Sequence, residues 1–329
     1  MLCALVEKPF DDEKWIFEPK LDGLRIICRF DGTKVTLLSR NDKPQDFQFP
    51  EVATALRNAL HAPAILDGEI VCFDEHGKPS FKELQQRFHI TDADFVRRRM
   101  AEHPAYIYLF DILYFDGKDL RDQALTKRKQ ILRKAISRWR RPLFWTEGVK
   151  AKGTALLKQT CREHGEGIVA KRLDSPYVST RSGAWLKIKC SGRQEFVIGG
   201  WTDPQRSRVG LGALLVGYYS DDGERLIYAG KVGTGFNRAM LLDLRQQLER
   251  IGSSTNPFDE GDPPTGDFVH WVKPILVAEI AFAEWTRHGI LRQPRFEGLR
   301  EDKKSTDVHR EKPASPRRIR RAKGSRSSR

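Results

Sequence analysis

An α+β fold in two domains, a mixed-sheet domain followed by a smaller β-barrel, is what this sequence predicts, on three observations. The chain has 329 residues, and at roughly 100 to 200 residues per domain that leaves room for two separate cores. Its 39% hydrophobic and 31% charged composition, with 18 Phe and 7 Trp, excludes a mostly disordered chain. The pattern also changes near residue 190: strands and helices are mixed before it, and short β-rich runs broken by Gly, Asp and Pro follow it.

In the first part, Leu24, Ile26, Cys28 and Phe30 alternate with Arg25 and Arg29, and Asp31-Gly32 turns the chain into KVTLLS, which predicts a hairpin with one buried face. Further strands are predicted over 64–73, 106–115 and 167–173, and helices over 50–60, 125–139 and 154–165, the last ending on a glycine suited to a helix stop. Beyond Lys189, QEFVIGGW, GALLVGYY, RLIYAGKVGTG and ILVAEIAFAEW read as strands, with one helix at NRAMLLDLRQQLERIG. Several short strands with one helix suggest a small closed barrel, the oligonucleotide-binding type being one candidate. The boundary is placed near Ser191-Gly192, giving domains 1–190 and 193–303 and a basic tail 304–329.

The formal net charge is +14, from 58 Lys+Arg against 44 Asp+Glu. From Lys304 to Arg329 there are ten Lys/Arg and two Asp/Glu, a net +8, which leaves +6 for the first 303 residues. That tail has almost no apolar residues and is rich in Ser, Pro and Arg, so it is predicted to be disordered, and it serves either to grip phosphates or simply to solubilise. No apolar run approaches the roughly 18 residues needed to cross a bilayer, and the start turns acidic before a signal-like core forms, so a cytosolic (cytoplasmic) site is expected. The five cysteines are far apart and free of any C-x-x-C pair, which predicts neither a disulfide nor a zinc site but reduced core residues. The eight histidines show no metal spacing, and Gly230 to Gly235 lacks phosphate-loop order and reads as a barrel turn.

Chemistry concentrates in Glu18-Pro19-Lys20-Leu21-Asp22-Gly23-Leu24-Arg25. A lysine after one strand, with an acid and a glycine before the next, puts an amine at the rim of a sheet, where nearby positive charge or burial is needed to make it a nucleophile. Lys187 and Lys189 alternate along a short predicted strand, so both face one way and can reach one phosphate. Glu69 and Glu166 each stand beside a glycine next to a strand. Two such carboxylates suit Mg²⁺, which shares its oxygen ligands with substrate phosphates. Phe110 offers a face on which a base can stack, and Arg25 and Arg40 can grip phosphate bidentately.

Taken in order, K-x-D-G-x-R (Lys20 to Arg25), S-R (Ser39-Arg40), D-G-E (Asp67 to Glu69), Phe110-Asp111, E-G-[IV]-V-x-K (Glu166 to Lys171), W-L-K-x-K (Trp185 to Lys189) and R-E-D-K (Arg300 to Lys303) resemble the covalent nucleotidyltransferases, specifically the small bacterial ATP-dependent DNA ligases and the ligase module of bacterial non-homologous end-joining ligases. The resemblance covers about residues 2 to 303. It implies a mixed-sheet nucleotidyltransferase (adenylation) domain followed by an oligonucleotide-binding (OB) β-barrel. It implies that Lys20 attacks the α-phosphate of ATP to form lysyl-AMP, with Lys187 and Lys189 on that phosphate and lowering the pKa of Lys20 by repulsion. Glu69 and Glu166 are implied as ligands of Mg²⁺, or of Mn²⁺ in its place, and Phe110 as the adenine stack. Nucleotide contacts are carried over to Glu18, Arg25, Arg40, Glu69, Lys171, Arg300 and Lys303; Glu18 is set near the adenine although Pro19 beside it removes one backbone donor. Because the family uses the closing element on the triphosphate, the second domain is expected to close over ATP and then open for DNA.

The activity implied is sealing of 5′-phosphate/3′-hydroxyl nicks in duplex DNA by a monomer, with Ku-like or other repair proteins as partners. With only 19 residues before Lys20, a stand-alone minimal enzyme is expected. Two rivals stand against it. An RNA ligase or GTP-using capping enzyme shares the lysine element, and nucleotide and substrate choice separate it. A non-catalytic nucleic-acid-binding protein needs only the barrel and tail, and the full set of lysines and glutamates argues against it.

Overall fold

The computed structural model describes residues 1–312 except 89, 164, 191, 206 and 207. The chain divides into two compact units, Met1–Cys190 and Ser191–Glu311.

The first unit begins with β1 (Leu2–Leu5), β2 (Trp15–Pro19), β3 (Leu24–Phe30) and β4 (Val35–Ser39), then α1 (Pro50–Ala59) and β5 (Ala64–Val71). Next come α2 (Phe81–Gln85), α3 (Ala93–Glu102), β6 (Tyr106–Phe115), β7 (Lys118–Asp119), α4 (Leu125–Ala135), β8 (Leu143–Trp145) and β9 (Val149–Lys150). It ends with α5 (Gly153–Arg162), β10 (Gly167–Arg172) and β11 (Arg181–Lys189). The predicted hairpin forms as β3 and β4, with Ile26 opposite Ser39 and Phe30 opposite Val35, and Asp31 caps its turn by accepting from the Thr33 and Lys34 N–H groups. The second predicted helix stops at Ala135, four residues early, and α2 and α3 lie where no helix was expected.

Two sheets result among the described residues. One has the order β1-β11-β10-β2-β9; the other has β4-β3-β5-β6-β7, with β8 also on β6. Each buries one face because its apolar residues recur every second position. Trp15, Phe17, Ile168, Ala170, Leu186 and Ile188 pack together beneath the first sheet. Leu24, Ile26, Cys28, Leu66, Ile70, Ile107 and Leu109 share a core beneath the second with Val52 and Leu56 of α1 and Leu132 of α4. The opposite faces meet through Phe110, Trp185, Tyr177, Leu113 and Ile27.

The second unit holds β12 (Gly192–Thr202), β13 (Leu214–Tyr219), β14 (Leu226–Val232), α6 (Arg238–Arg250), β15 (Gly252–Ser253), β16 (Val269–Val272), β17 (Val277–Phe282), β18 (Glu284–Trp285), β19 (Leu291–Arg292) and β20 (Arg295–Leu299). The long β12 pairs with β17 over its first half and with β13 and β16 over its second. β17 continues to β20, and β20 returns to the end of β14 through the Thr234–Arg295 bridge, in which the Phe296 N–H donates to the Thr234 carbonyl at 2.9 Å. The ring β14-β13-β12-β17-β20 is therefore the closed barrel that the short strands predicted.

Two expectations need correction. Cys161 and Cys190, expected to be reduced, form a disulfide, because α5 and β11 end side by side with their Cα atoms 5.2 Å apart. The tail expected from residue 304 is folded at its start: Ser305–Asp307 form a 3-10 turn, Val308 is buried, and Tyr219 N–H donates to the Val308 carbonyl at 2.8 Å. Val308 is apolar enough to join the barrel core, and it carries its neighbours with it. The rest of that expectation, residues 313–329, lies outside the described residues. Among those described, no helix is long and apolar enough to cross a membrane.

Candidate active site

The polar face of the first sheet carries the densest set of predicted residues, and strand register explains why. β10 runs between β2 and β11, and residues directly opposite each other share a face. One cross-strand row is Glu18, Val169 and Lys187; the next is Ile16, Lys171 and Trp185. Gly167 faces Lys189, and its carbonyl accepts from the Lys20 N–H at 2.8 Å, which sets the nucleophile candidate in a third row. Lys20, Glu18, Lys171, Lys187 and Lys189 are thus brought together from segments far apart in sequence, on the face away from the apolar cluster.

Two of the motif glycines, Gly167 and Gly23, are fixed by close backbone approach. A Cβ at Gly167, whose φ is +147°, would stand 2.2 Å from the Ile188 carbonyl oxygen. One at Gly23 would meet the Ile70 carbonyl oxygen at 2.2 Å. Neither position admits a side chain without moving backbone.

Lys20 Nζ donates to Glu166 Oε2 at 2.7 Å, and the Glu166 side chain is almost fully buried. The charge next to the nucleophile candidate is therefore negative as well as positive. Among the described residues no three His, Cys, Asp or Glu side chains gather to hold a metal. A divalent cation here would rest on one or two carboxylates and on substrate phosphates, as Mg²⁺ commonly does. Glu166 fits that role, since its carboxylate already binds the Lys20 ammonium, which stands where a cation would. Glu69 lies on β5 opposite Arg25 of β3, on the other sheet.

Glu18 is buried and bound by two ammonium groups, Lys129 on Oε1 and Lys171 on Oε2, each at 2.5 Å. Burial alone would raise its pKa, but Lys171 and then Lys129 more than offset that and hold it below the usual carboxylate value. Lys171 is shifted down, first by burial and also by Lys129, against the pull of Glu18. Its ammonium lies 4.0 Å from the ring centre of Phe110 and 4.3 Å from that of Trp185, so Phe110 is joined to the lysine rows across the gap between the sheets.

Arg25 and Arg300 are both held by acidic side chains. Arg25 was assigned to phosphate, but its guanidinium forks onto Asp67 (Nε to Oδ1 at 3.0 Å, Nη2 to Oδ2 at 2.6 Å), donates to the Met1 carbonyl and lies 5.7 Å from Phe110 and Trp185. Asp67 also accepts from Tyr177 Oη at 2.8 Å. Despite burial, Arg25 holds the Asp67 carboxyl well below its ordinary range, while burial, followed by the Asp67 charge, pushes Tyr177 up. Arg25 thus braces the aromatic wall. In the second unit Arg300 forks onto Asp302 at 2.9 Å on both arms and donates to Glu279 at 2.8 Å, and Lys303 pairs with Glu195 at 3.0 Å. Arg40 stands exposed just past β4.

Lys129, Arg128 and Tyr177 were missed. Arg128 is fully buried and forks onto Asp111 at 2.8 and 2.9 Å. A signal existed: Leu125, Arg128, Lys129, Leu132 and Ala135 fall on one helical stripe, so two cations occupy positions where a core-facing helix carries apolar residues.

Residues 1–189 match the family described as ATP dependent DNA ligase domain, and residues 207–303 match the ATP dependent DNA ligase C terminal region. The multifunctional non-homologous end joining protein LigD of Pseudomonas aeruginosa is 42% identical over 319 residues, 96% of this chain and 37% of that protein. DNA ligase C1 of Mycolicibacterium smegmatis is 31% identical over 289 residues, 85% of this chain and 81% of that one. Among solved structures, a mycobacterial DNA ligase D complexed with ATP and MES superposes with a TM-score of 0.65 at 31% identity, covering 94% of this chain and 98% of that one. The chain therefore spans little more than a third of the end-joining relative.

Proposed function

The chain belongs to the ATP-dependent DNA ligase family, and from that premise we propose that it seals 5′-phosphate/3′-hydroxyl breaks in duplex DNA with Lys20 as the nucleophile. The observation that carries this reading is the single row in which Lys20 lies beside Glu166-Gly167 and Lys189. In the first step the Lys20 amine attacks the α-phosphorus of ATP, the bond to the β-phosphate oxygen breaks, and pyrophosphate leaves. Lys187 and Lys189 face the negative charge that builds on the α-phosphoryl oxygens, where fixed cations lower the barrier. Attack requires Lys20 as the free amine, so a proton held between its Nζ and Glu166 must leave first. Glu69 and Glu166 would hold Mg²⁺ or Mn²⁺, which when bound neutralises phosphate charge. Glu18, pinned by Lys129 and Lys171, and the Phe110 face are assigned to the adenine.

In the second step a 5′-phosphate oxygen of the DNA attacks the adenylate phosphorus and Lys20 leaves. In the third the 3′-hydroxyl attacks the 5′-phosphate and AMP leaves. Arg40, exposed beyond β4, is assigned to the 5′-phosphate. Arg300 and Lys303, assigned to the triphosphate by family likeness, would exchange Asp302, Glu279 and Glu195 for phosphate oxygens. Repair of double-strand breaks with a Ku-like partner is proposed from the end-joining relatives.

The test is incubation of the chain with labelled ATP and Mg²⁺, followed by a nicked duplex. A covalent AMP adduct that Lys20→Ala abolishes, and ligated product from nicked DNA but not nicked RNA, are expected. An adduct that survives in Lys20→Ala, or one formed better from GTP, would sink the reading.

A further inference from the structure

The bond between Cys161, in the last turn of α5, and Cys190, directly after β11, encloses a segment carrying Glu166, Lys171, Trp185, Lys187 and Lys189. The clasp touches the site itself. Cys190 N–H donates to the Glu166 carbonyl at 3.0 Å, and the neighbouring Lys189 pairs with Gly167 at the last position of the β10-β11 ladder. Strand ends are where ladders fray, and here the frayed residues would be Glu166 and Lys189. Both cysteines are half-buried, within reach of a small oxidant, whereas Cys28 and Cys72 are buried. Burial pushes both of those thiols up, Cys72 to about 12, which keeps them out of the reactive thiolate form.

We infer that Cys161 and Cys190 are a redox modification site, a reversible clasp whose oxidised form holds Glu166 and Lys189 in register for the attack of Lys20. A peroxide supplies the oxidising equivalents. One thiol is oxidised to a sulfenic acid, releasing one water. The second thiol attacks that sulfur, the S–S bond forms, and a second water leaves with the two thiol protons accounted for. A dithiol reductant reverses the bond by exchange. Closing the segment removes conformational freedom that the reduced chain must give up each time the site assembles. The effect on rate rests on the lysyl-AMP reading; the bond itself does not.

The full chain is treated with hydrogen peroxide or with dithiothreitol, alkylated and peptide-mapped, and lysyl-AMP formation is timed in each state. A Cys161–Cys190 crosslinked peptide in the oxidised sample only, with adduct formation several-fold faster than in the reduced one, is expected. Cys161→Ser and Cys190→Ser should each lose the crosslink and run at the reduced rate in both conditions, while Cys3→Ser keeps the response. No crosslinked peptide, equal rates in the two states, or a redox response retained by the serine variants would overturn the inference. An adduct missing in every state defeats the lysyl-AMP reading instead, and the peptide map still decides the bond.

Discussion

Glu18 shows how much of this site is decided by single charges. Two buried ammonium groups on one carboxylate leave an excess positive charge, and ring faces take up part of it: Phe110 and Trp185 for Lys171, and Trp145, 4.5 Å away, for Lys129. Asp67 plays the corresponding part on the other sheet. Removing its charge strands the Arg25 guanidinium. The expected loss for Asp67→Asn is about 2 to 4 kcal/mol, since breaking a buried pair is costly but the Arg25 side chain keeps 26% exposure. The sign with pH follows from the direction of the shift. Because the folded carboxyl titrates below its unfolded value of 3.8, its stabilisation is complete above that value and drains away as the pH falls toward the folded pKa. Thermal unfolding between about pH 7 and pH 2.5 should show a shallower acid decline in Asp67→Asn than in the parent, and equal slopes would refute the assignment. For Lys129 the sequence carried only half the message: its place on the apolar stripe of α4 marks it as turned inward, but only Glu18, in another element, reveals what it binds.

At the level of elements, the legible parts are those that strand alternation fixes. The hairpin, β5, β6 and the run Trp185 to Lys189 could be read because period two leaves one choice of face, and the motif residues lie on or beside strands. The disulfide was hidden because its cysteines are 29 residues apart in sequence and no local pattern records that α5 and β11 end together. The β10-β11 pairing also gives Gly167 a testable burden. Gly167→Ala introduces a Cβ 2.2 Å from a backbone oxygen at a positive φ, so the strand end carrying Glu166 must shift. Adduct formation should fall at least tenfold, a misplacement of about 1 Å being worth up to a hundredfold, while far-ultraviolet circular dichroism stays near that of the parent. Unchanged kinetics would show that the close approach is dispensable.

For the molecule as a whole, the +14 charge divides at a different point from the one that composition suggested. Residues 313–329 hold seven Lys/Arg and no acid, whereas Val308 belongs to the barrel core. A chain ending after Lys304 should lose about 1 to 2 kcal/mol with the burial of Val308, seen as a lower unfolding midpoint. On nicked duplex, truncation after Lys312 should flatten the slope of log affinity against log salt by up to about 0.9 per tail cation in contact with phosphate. An unchanged slope would assign the tail to solubility alone. The barrel also has a history written into its order of pairing. β12, β13 and β14 follow one another along the chain and can zip locally, but closure at Thr234–Arg295 waits until α6, its long following loop and β17 have been gathered in. Such distant contacts are slow to form because loop entropy is spent before they return anything. The barrel should therefore pass through an open meander during folding, its seam between β14 and β20 the last to seal and the first to exchange its amide protons.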